Sequence, residues 1–532
     1  MTFLERNPII FLAGVWAVFI AIQTTLMPLL PVDETRYMTV AWEMFHNKSW
    51  ILPTLNYEPY SHKPPMLFWL INLVWSVTGL EIWGVRIMNG LIAFGSVPLT
   101  YVLAKTLFPD NTRIHKYAPM ILMASPMFFV FGTLIVFDFL QAIFVLSALI
   151  FLVRAYRTNM LRFWVLFGVM IGGGVLTKGP VMIVHIIFPA LLAPIWASKR
   201  GAAQWASWYA KFIMALVIAA AVALAWALPA AHIGGEVFTN EIFWSQSAGR
   251  VTESFAHQKP FWFYVPLMLV ALLPLVIWPH TWRAIASKNT DFKDGGIRFL
   301  LCWTVPTFIT FSIISGKQMH YLIPELGGFS ILLSCLISSK GAAFKQWSFP
   351  FSAFLFLFFV IHFAPLFFGV FGLGEDSFYV SITDARSNVV STLYLGAFIF
   401  GALFFTSTSK DYIHGQLMLF VVMSFLLVSL FSIEMGRKGY DYYDLSPIAR
   451  ELAVYKDRPI AVNRRYQGEV GFLAKLERSV DNIDTPNIEQ WFDEHPDGVV
   501  VYRYNKDSEK PDYKILFEKP YKSRSHIALV ER

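Results

Sequence analysis

The sequence predicts a polytopic α-helical membrane protein of about thirteen spans, with surface helices in its first outer loop and a small C-terminal α/β domain. Three observations carry this. Of 532 residues, 56% are hydrophobic and only 15% charged, against about 25% charged in an average globular chain. The apolar residues come in runs close to the length that crosses about 30 Å of hydrocarbon. From residue 433 onward the composition breaks: charges, Pro and Asn replace the apolar runs.

These features exclude a soluble single domain and a nucleic-acid-binding protein. The net charge of +7 needs no nucleic acid to explain it, because membrane proteins concentrate Lys and Arg in cytoplasmic loops. The two cysteines, Cys302 and Cys335, lie in apolar runs. Two thiols form neither a disulfide framework nor a structural zinc site, and they read as buried free thiols.

The expected spans are 9–30, 84–107, 117–134, 138–154, 162–178, 180–198, 211–230, 261–280, 298–315, 320–338, 348–370, 389–407 and 413–432. The first follows Arg6 and lacks a small-residue cleavage pattern, so it reads as a retained helix. Gly172-Gly173-Gly174 falls inside a span and reads as helix packing rather than as a nucleotide loop. Residues 64–80 are apolar but sit at the low edge of spanning length, and charge bias decides their placement. With a cytoplasmic N-terminus and 64–80 lying flat, the cytoplasmic loops carry Lys105, Arg113 and Lys116; Arg154, Arg157 and Arg162; Lys199, Arg200 and Lys211; Arg283, Lys288, Lys293 and Arg298; Lys340 and Lys345; and Lys410. The opposite loops are far poorer in Lys and Arg. If 64–80 crossed, every later loop would invert and break the positive-inside pattern.

Residues 1–432 therefore form the membrane domain, within which 31–83 is the first outer loop. Apolar Tyr37, Val40, Ala41, Met44 and Phe45 recur at helical spacing, so 34–47 is a second surface helix. Residues 433–532 form the outer α/β domain. Its expected helices are 445–455, 467–475 and 487–494, and its strands are 459–463, 498–504, 513–518 and 525–530.

This topology brings the unusual polar residues to one side. Asp33, Glu34 and Arg36 follow the first span. His62 and Lys63 precede the 64–80 helix, and Asp138 opens an otherwise apolar span. Thr177-Lys178-Gly179-Pro180 turns between two spans. His257 and Lys259 precede another, and Lys317, Gln318, His320, Tyr321 and Glu325 crowd the outer end of the 298–315/320–338 hairpin. Ionisable groups at membrane depth are costly and usually face a cavity and one another. A lysine in an outer turn also serves as a snorkelling anchor, and Asp33-Glu34 also suits a helix start, with Asp33 as N-cap. Convergence from distant segments favours chemistry. Lysines hold phosphate as point charges, and a neighbouring carboxylate can act as general base towards a hydroxyl. The 17% aromatic content suits a lipid chain and a sugar. An outer-facing enzyme has no access to cytoplasmic nucleotide sugars, so lipid-phosphate-linked sugars are the natural donors.

The run Asp33-Glu34-Thr35-Arg36-Tyr37, then Trp50-Ile51-Leu52-Pro53, Lys63-Pro64-Pro65 and Phe68-Trp69-Leu70, resembles the bacterial aminoarabinose (lipid A) transferases. These are GT-C glycosyltransferases, related to the protein O-mannosyltransferases. Further matches are Arg86, Ala124-Ser125-Pro126, Asp138, Leu176 through Pro180, Lys259 through Tyr264, and Lys317 through Pro324. The resemblance implies a GT-C fold. It implies a bacterial inner-membrane enzyme, with active site and C-terminus periplasmic, that transfers a sugar from undecaprenyl phosphate to lipid A or another envelope acceptor. By resemblance, Asp33 is the carboxylate at the acceptor, Lys63 and Lys178 hold the donor phosphate near Tyr321, and Asp138 organises the cavity. Glu34, Arg36, His62, His257 and Lys317 complete the expected substrate-binding set, and the default state is a monomer.

One departure matters. The family usually reads Glu-Lys-Pro-Pro where this chain has His62-Lys63-Pro64-Pro65. In the family that Glu can share a metal with a later His, so His62 and His257 are the candidate ligands of a divalent ion; two lining residues without metal is the alternative. The change leaves the sugar (4-amino-4-deoxy-L-arabinose or another) and the acceptor open. A transporter or flippase of lipid-linked sugars is the competing class, but transporters place polar groups near mid-membrane on broken helices.

Overall fold

The computed structural model describes residues 7–198, 201–244, 259–276, 278–287, 290–338, 412–505, 510, 512–522 and 525–532. Among these, eight helices are long and apolar enough to cross a membrane: Pro8–Leu26, Ile82–Leu107, Asp138–Thr158, Leu161–Lys178, Ala202–Trp244, Gly295–Ile313, Met319–Ser338 and Ile413–Ile433. Each coincides with an expected span. The expected spans 348–370 and 389–407 lie outside the described residues.

Three other expected spans are interrupted, and proline is the reason in each. Thr112–Ala124 and Pro126–Gly132 meet at a 63° bend, where Ser125 is extended ahead of Pro126, as the residue before proline prefers. Val181–Leu191 gives way to the single turn Ala193–Trp196 around Pro194. Phe261–Ala271 and Pro279–Ala286 are separated by a segment containing Pro274.

Helices form over both stretches of the first long loop where they were expected. Met66–Thr78 has 13 residues, about 20 Å at 1.5 Å per residue, too short to cross. The other helix is Asp33–His46, whose N-cap is Val32 rather than Asp33; Asp33 and Glu34 occupy its first turn. A two-stranded hairpin, β1 (Thr54–Leu55) and β2 (Glu58–Pro59), lies between the two helices.

Close packing of the spans relies on glycine. A Cβ at Gly168 would stand 2.5 Å from the Ala215 carbonyl oxygen, and one at Gly172 2.6 Å from Val222. Glycines four residues apart thus let Leu161–Lys178 approach Ala202–Asn240, a small-residue seam of the kind common between membrane helices.

The bundle has two chemically different ends. At one end Arg157 donates to the Leu107 carbonyl, Tyr156 accepts from the Ser198 amide, Lys211 bonds Asn159, and Arg298 donates to the Ile195 carbonyl. The opposite end carries the first long loop: Trp226 donates to the Ile51 carbonyl at 2.8 Å.

The C-terminal sheet domain stands on that loop. Its five strands run in the order β4 (Asp481–Asn482), β3 (Ile460–Val462), β5 (Val499–Asn505), β7 (Ser525–Glu531), β6 (Lys514–Tyr521). β3 is parallel to β4 and β5, while β5–β7 and β7–β6 are antiparallel. Four strands match expectation; β4, at two residues, is too short to leave a pattern. The helices are Ser446–Val454, Gly471–Ala474 and Ile488–Glu494. Docking onto the loop is specific. The Thr39 hydroxyl donates to the Gly468 carbonyl and accepts from the Phe472 amide, Trp42 donates to the Leu476 carbonyl, and the Asn56 side chain pairs with both backbone groups of Val480. Trp75 stacks on Phe472 at 5.0 Å.

Candidate active site

A buried lattice sets the position of the loop helix. Arg86 is fully buried within Ile82–Leu107. Its guanidinium donates to Glu34, to the Thr133 carbonyl and to the Pro28 carbonyl at 3.0–3.2 Å. Glu34 also accepts from the Leu30 and Ile135 amides, each at 2.8 Å. One ion pair thus fixes the end of the first span, the start of the Asp33–His46 helix and the segment leading into Asp138. An unpaired charge at that depth would be very costly.

Asp138 begins its span and is 2% exposed. Its carboxylate forms a tight ion pair with Lys178, and its second oxygen lies 3.7 Å from His320 Nε2. Lys178 ends its helix, and Gly179 at φ +80° turns the chain there. A carboxylate at a helix N-terminus and an ammonium at a C-terminus are each favoured by the helix dipole. Lys178 Nζ also stands 4.4 Å over the Tyr321 ring, and Lys63 Nζ lies 5.7 Å from the Phe137 ring. Phe131 flanks His320 at 5.7 Å. The charges acting on His320 are those of Asp138, Lys178, Asp33 and Lys63. Five segments that the sequence holds far apart therefore share one electrostatic neighbourhood.

Asp33 is the exposed member. Its side chain is 45% exposed and sits 3.7 Å from Arg36 Nη1. Below it, burial pushes the Tyr37 hydroxyl well above its usual range, with the Asp33 charge adding to the effect. Tyr37 packs edge-on against Phe137 at 4.9 Å.

The remaining expected site residues divide. Glu34 has both oxygens engaged, by Arg86 and by two backbone amides, and so braces the loop helix. Arg36 is shared, because its Nη2 donates to Gln467 of the C-terminal domain. Lys317 is buried, and Nζ donates to the Lys259 carbonyl at 2.9 Å, so it ties two loops together; burial lowers its pKa. His62 is exposed, with its ring 5.2 Å from Tyr60. His257 lies outside the described residues, and so does any pairing of His62 with it. Among the described residues no group of three or more His, Cys, Asp or Glu side chains is arranged to hold a metal.

His320 is the residue that sequence reasoning did not assign a role. It stood in the outer polar cluster, and its one distinguishing signal was adjacency to Tyr321.

The geometry suits an anionic group held between Lys63 and Lys178, beside an accessible carboxylate. Asp138 holds Lys178 in place, while Phe131, Phe137 and Tyr321 wall the site with apolar surface.

The family profile described as dolichyl-phosphate-mannose-protein mannosyltransferase matches residues 62–227. The undecaprenyl phosphate-α-4-amino-4-deoxy-L-arabinose arabinosyl transferase of Serratia proteamaculans is 29% identical over 371 residues, 65% of this chain and 63% of that relative. A transferase of the same name from Pseudomonas fluorescens is 29% identical over 57% of this chain and 52% of its own length. The matched region thus spans less than two thirds of these relatives. The crystal structure of ArnT from Cupriavidus metallidurans bound to undecaprenyl phosphate superimposes with a TM-score of 0.76 at 16% identity, covering 98% of this chain and 97% of that one. At that identity the likeness concerns the fold.

Proposed function

We infer that this chain, a GT-C membrane protein of the aminoarabinose-transferase family, is a glycosyltransferase that moves a sugar from undecaprenyl phosphate to a cell-envelope acceptor. Lipid A is the proposed acceptor and 4-amino-4-deoxy-L-arabinose the proposed sugar. The proposed site and C-terminal domain face the periplasm of a bacterial inner membrane. The basic loops at the opposite end of the bundle support that orientation. The observation that carries the reading is the neighbourhood of Asp33, Lys63, Asp138, Lys178 and His320 at the ends of their spans.

The chemistry follows from the charges. Lys63 and Lys178 bind the phosphodiester of the donor, leaving its prenyl tail to run along the apolar spans. The acceptor oxygen bonds to the anomeric carbon as the bond from that carbon to the phosphate oxygen breaks. The phosphate departs with the electron pair, and its added negative charge is stabilised by the two ammonium groups. For a hydroxyl acceptor, Asp33 receives the proton. Desolvation by the surrounding rings strengthens each of these interactions.

The test is a reconstituted transfer assay. The purified protein in nanodiscs receives undecaprenyl phosphate-aminoarabinose and lipid A, and products are read by mass spectrometry. The reading expects a lipid A mass shift of one aminoarabinose. Intact donor and unmodified lipid A after prolonged incubation would contradict it.

A further inference from the structure

A second basic site lies in the C-terminal domain, apart from Lys63 and Lys178. β3 and β5 are parallel neighbours, and the chain leaves them in opposite directions: from β3 towards β4 at one edge, from β5 towards β6 at the other. Crevices at such switch points, beyond the carboxyl ends of the strands, are where open sheets bind ligands. Here the crevice is a small surface cleft, lined by the 463–466 loop after β3, by Glu469 and by the end of β5 with Arg503.

The cleft is held rigidly. Asn463 Oδ1 accepts from the Arg503 amide at 2.8 Å, and its Nδ2 donates to the Arg503 carbonyl at 2.9 Å. Glu469 is 3% exposed; one oxygen pairs with Arg503 at 3.0 Å and the other accepts from the Gln467 amide at 2.8 Å. Arg503 is thereby neutralised. Arg464 and Arg465 are exposed, and no carboxylate among the described residues pairs with either. Two guanidinium groups consequently stand uncompensated on a fixed loop. Guanidinium forks match phosphate oxygens bidentately. The same loop reaches the catalytic helix, because Gln467 accepts from Arg36, which ion-pairs with Asp33.

We propose that the Arg464/Arg465 cleft of the C-terminal domain binds a phosphoryl group carried by the lipid acceptor, orienting the acceptor towards Asp33. This rests on the glycosyltransferase reading above, and it adds a specificity site outside the membrane domain. The ligand chemistry, an anionic phosphoryl group, is also offered by free phosphate and by bulk anionic phospholipid, and the test separates these sources.

Full-length protein in nanodiscs is titrated with bisphosphorylated lipid A, with dephosphorylated lipid A, with phosphatidylglycerol and with inorganic phosphate, and binding is followed by native mass spectrometry. Wild type should prefer the bisphosphorylated lipid over each of the others. Arg464→Ala/Arg465→Ala should weaken that binding about tenfold or more, the worth of a charge-assisted contact, while undecaprenyl phosphate binding stays unchanged. Both side chains are exposed and unpaired, so the double variant should fold normally, and Arg464→Lys/Arg465→Lys should restore part of the affinity. Equal affinity of wild type and the alanine variant for lipid A overturns the proposal. So does equal binding of phosphorylated and dephosphorylated lipid, or saturation by phosphatidylglycerol or free phosphate at the same concentration. Binding that follows the expected pattern without any sugar transfer would instead count against the glycosyltransferase reading and leave the cleft assigned to phosphoryl recognition.

Discussion

Asp138 and Lys178, forty positions apart in the chain, form a tight ion pair where one span begins and another ends, with both side chains largely withdrawn from solvent. The pair fixes the position of Lys178. It also makes each partner hostage to the other.

Lys178→Ala is therefore expected to act twice. It leaves the Asp138 carboxylate buried beside only His320 and the more distant Lys63, a loss of about 3 kcal/mol in stability, and it raises the apparent KM for the lipid-linked donor. In Lys178→Ala/Asp138→Asn the thermal midpoint should recover while the donor KM stays high. An unchanged donor KM in both variants would move the phosphate site away from Lys178.

Glu34 and Arg86 are predicted to be indispensable for folding and not for substrate contact. Glu34→Ala strands a fully buried guanidinium and should lower the thermal midpoint sharply, with little folded protein recovered, an effect of about 3–5 kcal/mol. Normal stability with a raised substrate KM would return Glu34 to the binding site.

Lys475 makes the docking of the C-terminal domain pH-dependent. It lies over Phe472 and 5.3 Å from the Trp42 ring, and burial pushes its ammonium from 10.5 down to about 8. The folded state therefore releases this proton before the unfolded state does. Stability should rise as pH increases from about 8 to 10.5, because the unfolded chain binds more protons in that window. The Glu81 carboxylate favours the charged form and limits the shift. Thermal midpoints of wild type and Lys475→Met over this range test it: the slope should be smaller in the variant, and identical slopes would refute the assignment.

Sidedness is the next test. In a background lacking Cys302 and Cys335, cysteines at Glu58 and Asp457 should react with an impermeant maleimide in intact spheroplasts. Cysteines at Asn111 and Thr158 should react only after lysis. The opposite pattern would invert the protein.

Much of this architecture was legible because it follows from apolar run length and charge bias. That 64–80 holds a helix too short to cross could be read from its length alone. Asp33, Lys63, Asp138, Lys178 and Tyr321 stood out because ionisable or amphipathic groups at span ends demand partners. What sequence could not supply was the direction of adjacent side chains. Asp33 and Glu34 are neighbours of nearly equal chemistry, yet about 100° of helical rotation separates them, so one faces solvent and the other Arg86. Nor could it assign His320, whose role depends on which span end stands opposite. The bends at Pro126, Pro194 and Pro274 were marked by residue type, but hydropathy averages them away.

If Asp33 drives transfer from a donor phosphate held by Lys63 and Lys178, single-turnover transfer by Asp33→Asn should reveal it. Charge is lost from a 45% exposed side chain, so folding and donor binding should match wild type. Sugar transfer should fall at least 100-fold, the scale of a lost general base, with undecaprenyl phosphate affinity unchanged. Transfer at the wild-type rate by a correctly folded Asp33→Asn protein would contradict it.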